Sequence, residues 1–337
     1  MAQLLGLTLL SLLVTSLLII PFIDFLYKVK LRRQKQKTVD LFNEPTPFFD
    51  KFNKWKVGTP FGGGLLIVIV VITVFLWSVG LLNVKVNFWE LFVIIFTFVS
   101  FGILGLYDDA KKLVDKDNKL AFFGLRFRYK FLLQCVLAFI PATILYSKLG
   151  YSFLFIKGFG LIDVGIFYIP FAAFVIVAFV NAFNIADGLD GLASGLLLIA
   201  LVSFLAISYT NLDQGLAMFI AILMGSVAAF LYFNIYKARI WLGDVGSMSL
   251  GAALAIVGLL SGKTLAMAVI GGVFVLEVGS SLLQIFWKRV FGKKLFPVAP
   301  LHLYFQKRGW DEPKIVMRAW LIGVVFAILG LYLAFIE

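Results

Sequence analysis

The chain has 337 residues, 62% hydrophobic and only 14% charged, with a formal net charge of +12. A soluble domain carries about 45–50% apolar and about 25% charged residues, so a water-soluble enzyme, a secreted disulfide scaffold and a disordered chain are all excluded. One cysteine, Cys135, permits no intrachain disulfide.

Apolar runs long enough to cross a bilayer, about 20 residues each, fall at 3–27, 60–82, 88–107, 130–147, 165–183, 192–211, 215–235, 247–262, 264–287 and 316–336. The pattern predicts an all-α integral membrane protein of about ten transmembrane helices, a single polytopic domain over 1–337. The first run lacks a basic leader and an A-x-A-like cleavage site, so it reads as a retained helix. Segments 28–58, 111–130, 236–246 and 288–318 hold 26 of the 30 Lys and Arg, leaving Lys85, Lys148, Lys157 and Lys263 on the other side. By the positive-inside rule these basic loops are cytoplasmic and both termini face outward. The same charge would attract anionic headgroups or a phosphorylated substrate. No separate soluble module exists to bind nucleic acid.

The acids carry more information, because an ionisable group at membrane depth is costly and marks a functional site by default. The inner end of the third run reads Leu106-Tyr107-Asp108-Asp109-Ala110-Lys111-Lys112. Neighbouring helical residues diverge by about 100°, so Asp108 and Asp109 are expected to divide their work, one near a metal and one near a phosphate or a basic group. Asn181 to Ala193 follows the fifth run, with Asn184, Asp187 and Asp190 stepping by three and Gly188 and Gly191 allowing close backbone approach. Before the eighth run stands Trp241-Leu242-Gly243-Asp244-Val245-Gly246-Ser247, where Asp244 reads either as a helix cap or as a metal ligand. Oxygen-rich clusters with one histidine and no paired thiols disfavour zinc and suit Mg²⁺, with Mn²⁺ as the alternative. Lys56, Lys112 and Lys130 lie near these acids in sequence. Carboxylates for a metal beside lysines for phosphate oxygens are the components of phosphoryl transfer. Glu277, inside the ninth run, has two readings: the mouth of a lipid groove, or a pair with a polar residue such as Gln284.

Six stretches in order, Lys56 to Gly63, Leu106 to Lys112, Arg128-Tyr129-Lys130, Asn181 to Ala193, Gly243 to Ser247 and Ala299-Pro300-Leu301-His302, resemble the polyprenyl-phosphate N-acetylhexosamine-1-phosphate transferase superfamily (glycosyltransferase family 4). Within it the chain looks most like the phospho-N-acetylmuramoyl-pentapeptide transferase family. The resemblance implies a multi-pass plasma-membrane enzyme with ten helices and a cytoplasmic active site. The reaction would be a magnesium-dependent attack of undecaprenyl phosphate on the β-phosphorus of a UDP-amino sugar, releasing UMP in peptidoglycan lipid synthesis. Residue by residue, it implies Asp108, Asp109, Asp244 and His302 as catalytic. It implies Asp244, Asp109 and Asp187 as metal ligands, and Lys56, Lys112, Lys130, Asn184, Asp187, Asp190 and Asn234 as substrate-binding. A homodimer stays open.

Two departures stand out. The family's muramoyl members carry three consecutive histidines where this chain has His302, Leu303 and Tyr304, and Phe61 occupies the middle of the Thr-Pro-x-Gly-Gly motif. Loss of the second and third histidines bears on sugar and peptide specificity more than on reaction type, and UDP-GlcNAc or a related UDP-sugar stays an alternative donor. An intramembrane prenyltransferase would need a second Asp-rich repeat, which is missing. An ion-coupled transporter using Asp187, Asp190 and Glu277 would place acids at the midplane of an inverted repeat, whereas these cluster at one face.

Overall fold

The computed structural model describes residues 1–33, 45–82, 84, 86–114, 127–156 and 160–336. Of the basic residues counted above, Lys35, Lys37, Lys85, Lys116, Lys119, Arg126 and Lys157 lie outside them.

Thirteen α-helices are present among the described residues: α1 (Ala2–Lys28), α2 (Pro47–Phe52), α3 (Gly63–Leu81), α4 (Phe88–Val114), α5 (Phe127–Ser147), α6 (Tyr168–Ala186), α7 (Leu192–Thr210), α8 (Gln214–Asn234), α9 (Gly243–Leu260), α10 (Thr264–Ile270), α11 (Gly272–Phe291), α12 (Leu301–Lys307) and α13 (Glu312–Phe335). Nine of these described helices are long and apolar enough to cross a membrane, and α10 with α11 makes a tenth span if counted together. The expected ninth span, 264–287, is therefore not straight. It bends by 79° at Gly271. Glycine is needed at the bend because the chain passes large rings there: a Cβ at Gly271 would stand 2.6 Å from Phe179 of α6, and one at Gly272 would stand 2.9 Å from Phe326 of α13. The α5–α6 connection also holds a short antiparallel hairpin, β1 (Phe153–Ile156) against β2 (Gly160–Asp163), with Phe153 opposite Asp163.

Apolar side chains cannot drive helix association in lipid as they do in water, so close backbone approach and interhelical hydrogen bonds matter more. In α1, Leu4, Leu7, Ser11, Thr15, Ile19, Ile23 and Leu26 recur at helical spacing and are buried, while Leu5, Leu9, Leu13 and Leu17 face outward. On the buried stripe, the Ser11 hydroxyl donates to Ile222 O of α8 (2.8 Å) and Thr15 Oγ1 donates to Ser226 Oγ (2.9 Å).

Helix α9 is the axis of the bundle, buried continuously from Val245 to Leu260. It packs against α3, α4 and α6. Glycine faces glycine where α3 meets it: a Cβ on Gly64 would stand 2.0 Å from the Gly246 Cα. The Gly63 and Gly64 N–H groups donate to Trp241 O (2.9 Å) and Leu242 O (3.0 Å), which ties the start of α3 to the start of α9. The end of α4, the end of α6 and the start of α9 thus meet at one end of the bundle.

Candidate active site

Asp108 and Asp109 end the apolar part of α4, and both are buried. Lys112 lies one turn further on, so its Nζ reaches both: 3.4 Å to Asp108 Oδ2 and 3.3 Å to Asp109 Oδ1. The same ammonium lies 2.8 Å from Asp244 Oδ2 at the start of α9. Lys130, one turn into α5, bridges the same helices, 3.2 Å from Asp108 Oδ2 and 2.8 Å from Asp244 Oδ2. The division of labour expected of adjacent carboxylates is therefore only partial. Both converge on Lys112 and they differ in the second partner: Asp108 shares Lys130, while Asp109 Oδ2 accepts the Val245 N–H (3.2 Å). That last bond gives a side-chain acceptor to one of the backbone N–H groups a helix start leaves unpaired.

From α6, Asn184 Nδ2 donates to Asp244 Oδ1 (3.3 Å) and to Ser247 Oγ (2.7 Å). Asp187 caps the C-terminus of α6 and is only partly buried. Burial, with the Asp244 carboxylate behind it, raises its pKa well above the ordinary carboxylate range, and Lys56 opposes that shift.

Three expected site residues point elsewhere. The chain turns after Asp187, so Asp190 does not share the face of Asn184: its Oδ2 accepts the Ala238 N–H (2.8 Å) and its Oδ1 lies 3.3 Å from Lys56 Nζ. Lys56 is 1% exposed. Its Nζ donates to Glu312 Oε1 (2.7 Å) and Gly188 O (3.2 Å) and lies 4.8 Å from the centre of the Trp241 ring. Asn234 is likewise committed: its Oδ1 accepts from Gly191 N (3.1 Å) and Ser194 Oγ (2.8 Å), and its Nδ2 donates to Ile240 O (3.0 Å). These side chains shape the turn that carries Asp187. His302, in α12, lies against that turn at Gly188.

Two readings of Glu277 were open. Gln284 is not its partner, because its Oε1 accepts the Leu295 and Phe296 N–H groups and its Nε2 donates to Phe296 O. Glu277 pairs with His302 instead.

The family pattern of glycosyl transferase family 4 matches residues 91–262. Phospho-N-acetylmuramoyl-pentapeptide-transferases are similar over most of the chain. That of Thermodesulfovibrio yellowstonii is 38% identical, covering 82% of this chain and 80% of its own; that of Rickettsia montanensis is 38% identical over 90% and 86%. The Borreliella afzelii enzyme is 35% identical over 89% and 88%. The chain belongs to glycosyl transferase family 4. The matched stretch of this family-4 transferase holds Asp108, Asp109, Lys112, Lys130, Asn184, Asp187, Asp190, Asn234 and Asp244, while Lys56, Glu277, His302 and Glu312 lie outside it.

Among the described residues, no three His, Cys, Asp or Glu side chains form a ready-made metal cluster, and the ammonium groups of Lys112 and Lys130 sit against the carboxylates. The donor chemistry nevertheless suits a hard divalent ion. Oxygens of Asp108, Asp109 and Asp244 all lie within 3.4 Å of one cationic point, Lys112 Nζ, and oxygen donors are what Mg²⁺ and Mn²⁺ take. The Lys112 side chain is 24% exposed, so its ammonium is reachable from outside the cluster.

Ser247 and Glu312 were not singled out from sequence. Ser247 stands in the Gly-Asp-x-Gly-Ser turn, where a hydroxyl three residues after a carboxylate was a readable signal. Glu312 precedes Pro313 at the start of α13, a position that reads as helix initiation and hides its pairing with a lysine 256 residues away.

Proposed function

We propose that this transferase moves phospho-N-acetylmuramoyl-pentapeptide from its UDP carrier to a polyprenyl phosphate. An oxygen of the lipid phosphate attacks the β-phosphorus of the UDP-sugar, the bond from that phosphorus to the bridging oxygen breaks, and UMP leaves. The observation that carries this reading is the convergence of Asp108, Asp109 and Asp244 with Lys112 and Lys130, in a chain similar to transferases named for that reaction.

Phosphoryl transfer asks the protein chiefly to position reactants and neutralise charge. Lys112 and Lys130 hold phosphate oxygens, which charge-assisted hydrogen bonds do well. Asp108, Asp109, Asp244 and Asp187 are the residues that would hold Mg²⁺, or Mn²⁺ in its place; the ion supplies neutralisation of the two reactants' phosphates. A phosphate monoester has a second pKa near 6, so at neutral pH the lipid phosphate needs little help from Asp108 as a base. Asn184 keeps Asp244 oriented through its contact with Oδ1. Lys56, Asp190 and Asn234 position the Asp187–Gly191 turn, and His302 lines it.

With basic loops inside, both termini face outward, and the site opens on the cytoplasmic face of the plasma membrane, where UDP-sugars are made. The test is UMP release by detergent-purified protein offered undecaprenyl phosphate with UDP-MurNAc-pentapeptide, UDP-GlcNAc or UDP-GalNAc. Release with the first alone supports the proposal. Release only with another moves the chain to a different glycan, and no release with any of them sinks it.

A further inference from the structure

Glu277 takes no part in the carboxylate–lysine cluster. It lies in α11 just past the bend, 5% exposed, a place where a carboxyl needs a partner. Its Oε2 stands 3.0 Å from Nδ1 of His302 and 3.5 Å from the His302 backbone nitrogen. The ring is 3% exposed. Its other nitrogen, Nε2, faces the turn between α6 and α7: a Cβ on Gly188 would stand 2.7 Å from it. Helices α11 and α12 thus deliver one imidazole edge to the backbone next to Asp187, and Gly188 leaves the space it occupies.

A carboxylate only accepts hydrogen bonds, whereas a neutral imidazole has one donor nitrogen and one acceptor. A carboxylate on Nδ1 keeps the proton there and leaves the lone pair on Nε2. We propose that Glu277 is a positioning residue that fixes the tautomer and orientation of His302. Nε2 then stands beside Asp187 and Gly188 as an acceptor for an N–H or O–H of the bound sugar nucleotide. The role assigned to Nε2 rests on the transferase reading above. The same Glu277 oxygen receives the backbone N–H, so the ring and the start of α12 are anchored together.

His302 is the chain's only histidine, so full-length protein labelled with ¹⁵N-histidine in detergent shows a single imidazole. The expected spectrum has Nδ1 protonated and Nε2 bare. In Glu277→Gln, whose amide both donates and accepts, Nε2–H becomes populated. In the UMP-release assay Glu277→Gln should lower kcat roughly 10- to 100-fold, the loss typical when the outer partner of a functional imidazole is removed. In a His302→Asn background the same change should cost less than about twofold, because residues acting through one another are not additive. A protonated Nε2 in the parent, an unchanged tautomer in Glu277→Gln, or equal losses in both backgrounds would each overturn the proposal and leave Glu277 a helix cap. Should the Gln variant not fold, Glu277→Asp withdraws the acceptor by one methylene and serves the same comparison. If the parent releases no UMP at all, the transferase reading fails, while the spectra still decide the Glu277–His302 pairing.

Discussion

Gly105 sits one turn before Asp108, where α4 crosses the start of α9. A methyl group there would lie 2.2 Å from the Asp244 carbonyl oxygen, 2.4 Å from its carbon and 2.6 Å from the Val245 Cα, none of which is a side chain that can rotate away. Ordinary contact begins near 3.4 Å, so Gly105→Ala must push the two backbones apart by about 1.2 Å. Overpacking of this kind costs about 1–3 kcal/mol of stability, which a thermal unfolding curve in detergent will read. The larger effect is on chemistry. Asp108 and Asp109 ride on α4 and Asp244 on α9, and the ammonium groups between them work over contacts of 2.8–3.4 Å. A misplacement of about 1 Å can cost about 100-fold in rate. UMP release at saturating substrates should therefore fall by about that factor in protein that still inserts. Gly6→Ala in α1, where a Cβ meets nothing within 4 Å, is the control and should keep parental turnover. A Gly105→Ala enzyme with the parental kcat would show that the α4–α9 spacing does not set the geometry of the reaction.

Asp244→Asn removes the charge that both lysines share, and UMP release should fall to background; full turnover by this variant would end its assignment as a metal ligand. Chelation should abolish activity and added Mg²⁺ restore it, with little change in the unfolding temperature because lysines already neutralise the acids; activity undiminished by chelator contradicts the metal assignment. Lys130→Ala loses a charge-assisted hydrogen bond worth about 1.5–3 kcal/mol and should lower kcat/KM for lipid phosphate about 10- to 100-fold, seen in a titration of that substrate. Lys56→Met takes from Asp190 and Glu312 the ammonium that touches both and leaves only the charge of Arg33 near them, so the melting temperature should fall; the double variant with Glu312→Gln should recover part of it, and a parental melting curve for the single variant would refute the pairing.

Much of the architecture was legible because bilayer thickness imposes a length on every spanning run and charge is confined to the loops. The helix starts at Gly63 and Gly243 and the ends at Ala186 and Asn234 fall within a few residues of the runs read from hydropathy. The bend at Gly271 was not legible: Gly271-Gly272 sits inside a continuous apolar stretch, and only Phe179 and Phe326, far away in sequence, make glycine necessary there. The acids were legible as groups, since Asp108, Asp109, Asp187 and Asp244 have no place in a lipid-facing helix. Their partners were not. Spacing by three puts Asn184, Asp187 and Asp190 on one face only if the stretch is helical, which Gly188 and Gly191 argue against; the helix stops at Ala186, so Asp190 turns to Lys56 and the α8–α9 loop instead. His302 and Glu277 each looked isolated because a pair 25 residues apart leaves no periodic trace.

The lysine-tethered carboxylates have a consequence for how the molecule is made. Three acids brought together inside a bundle would repel one another during assembly and wait for an ion to hold them; Lys112 and Lys130 do that holding with covalently attached charge. The nascent chain can thus complete its packing with no ion present, and under the proposed magnesium dependence loading would be a late, reversible event governed by the supply of ion and substrate rather than by biogenesis.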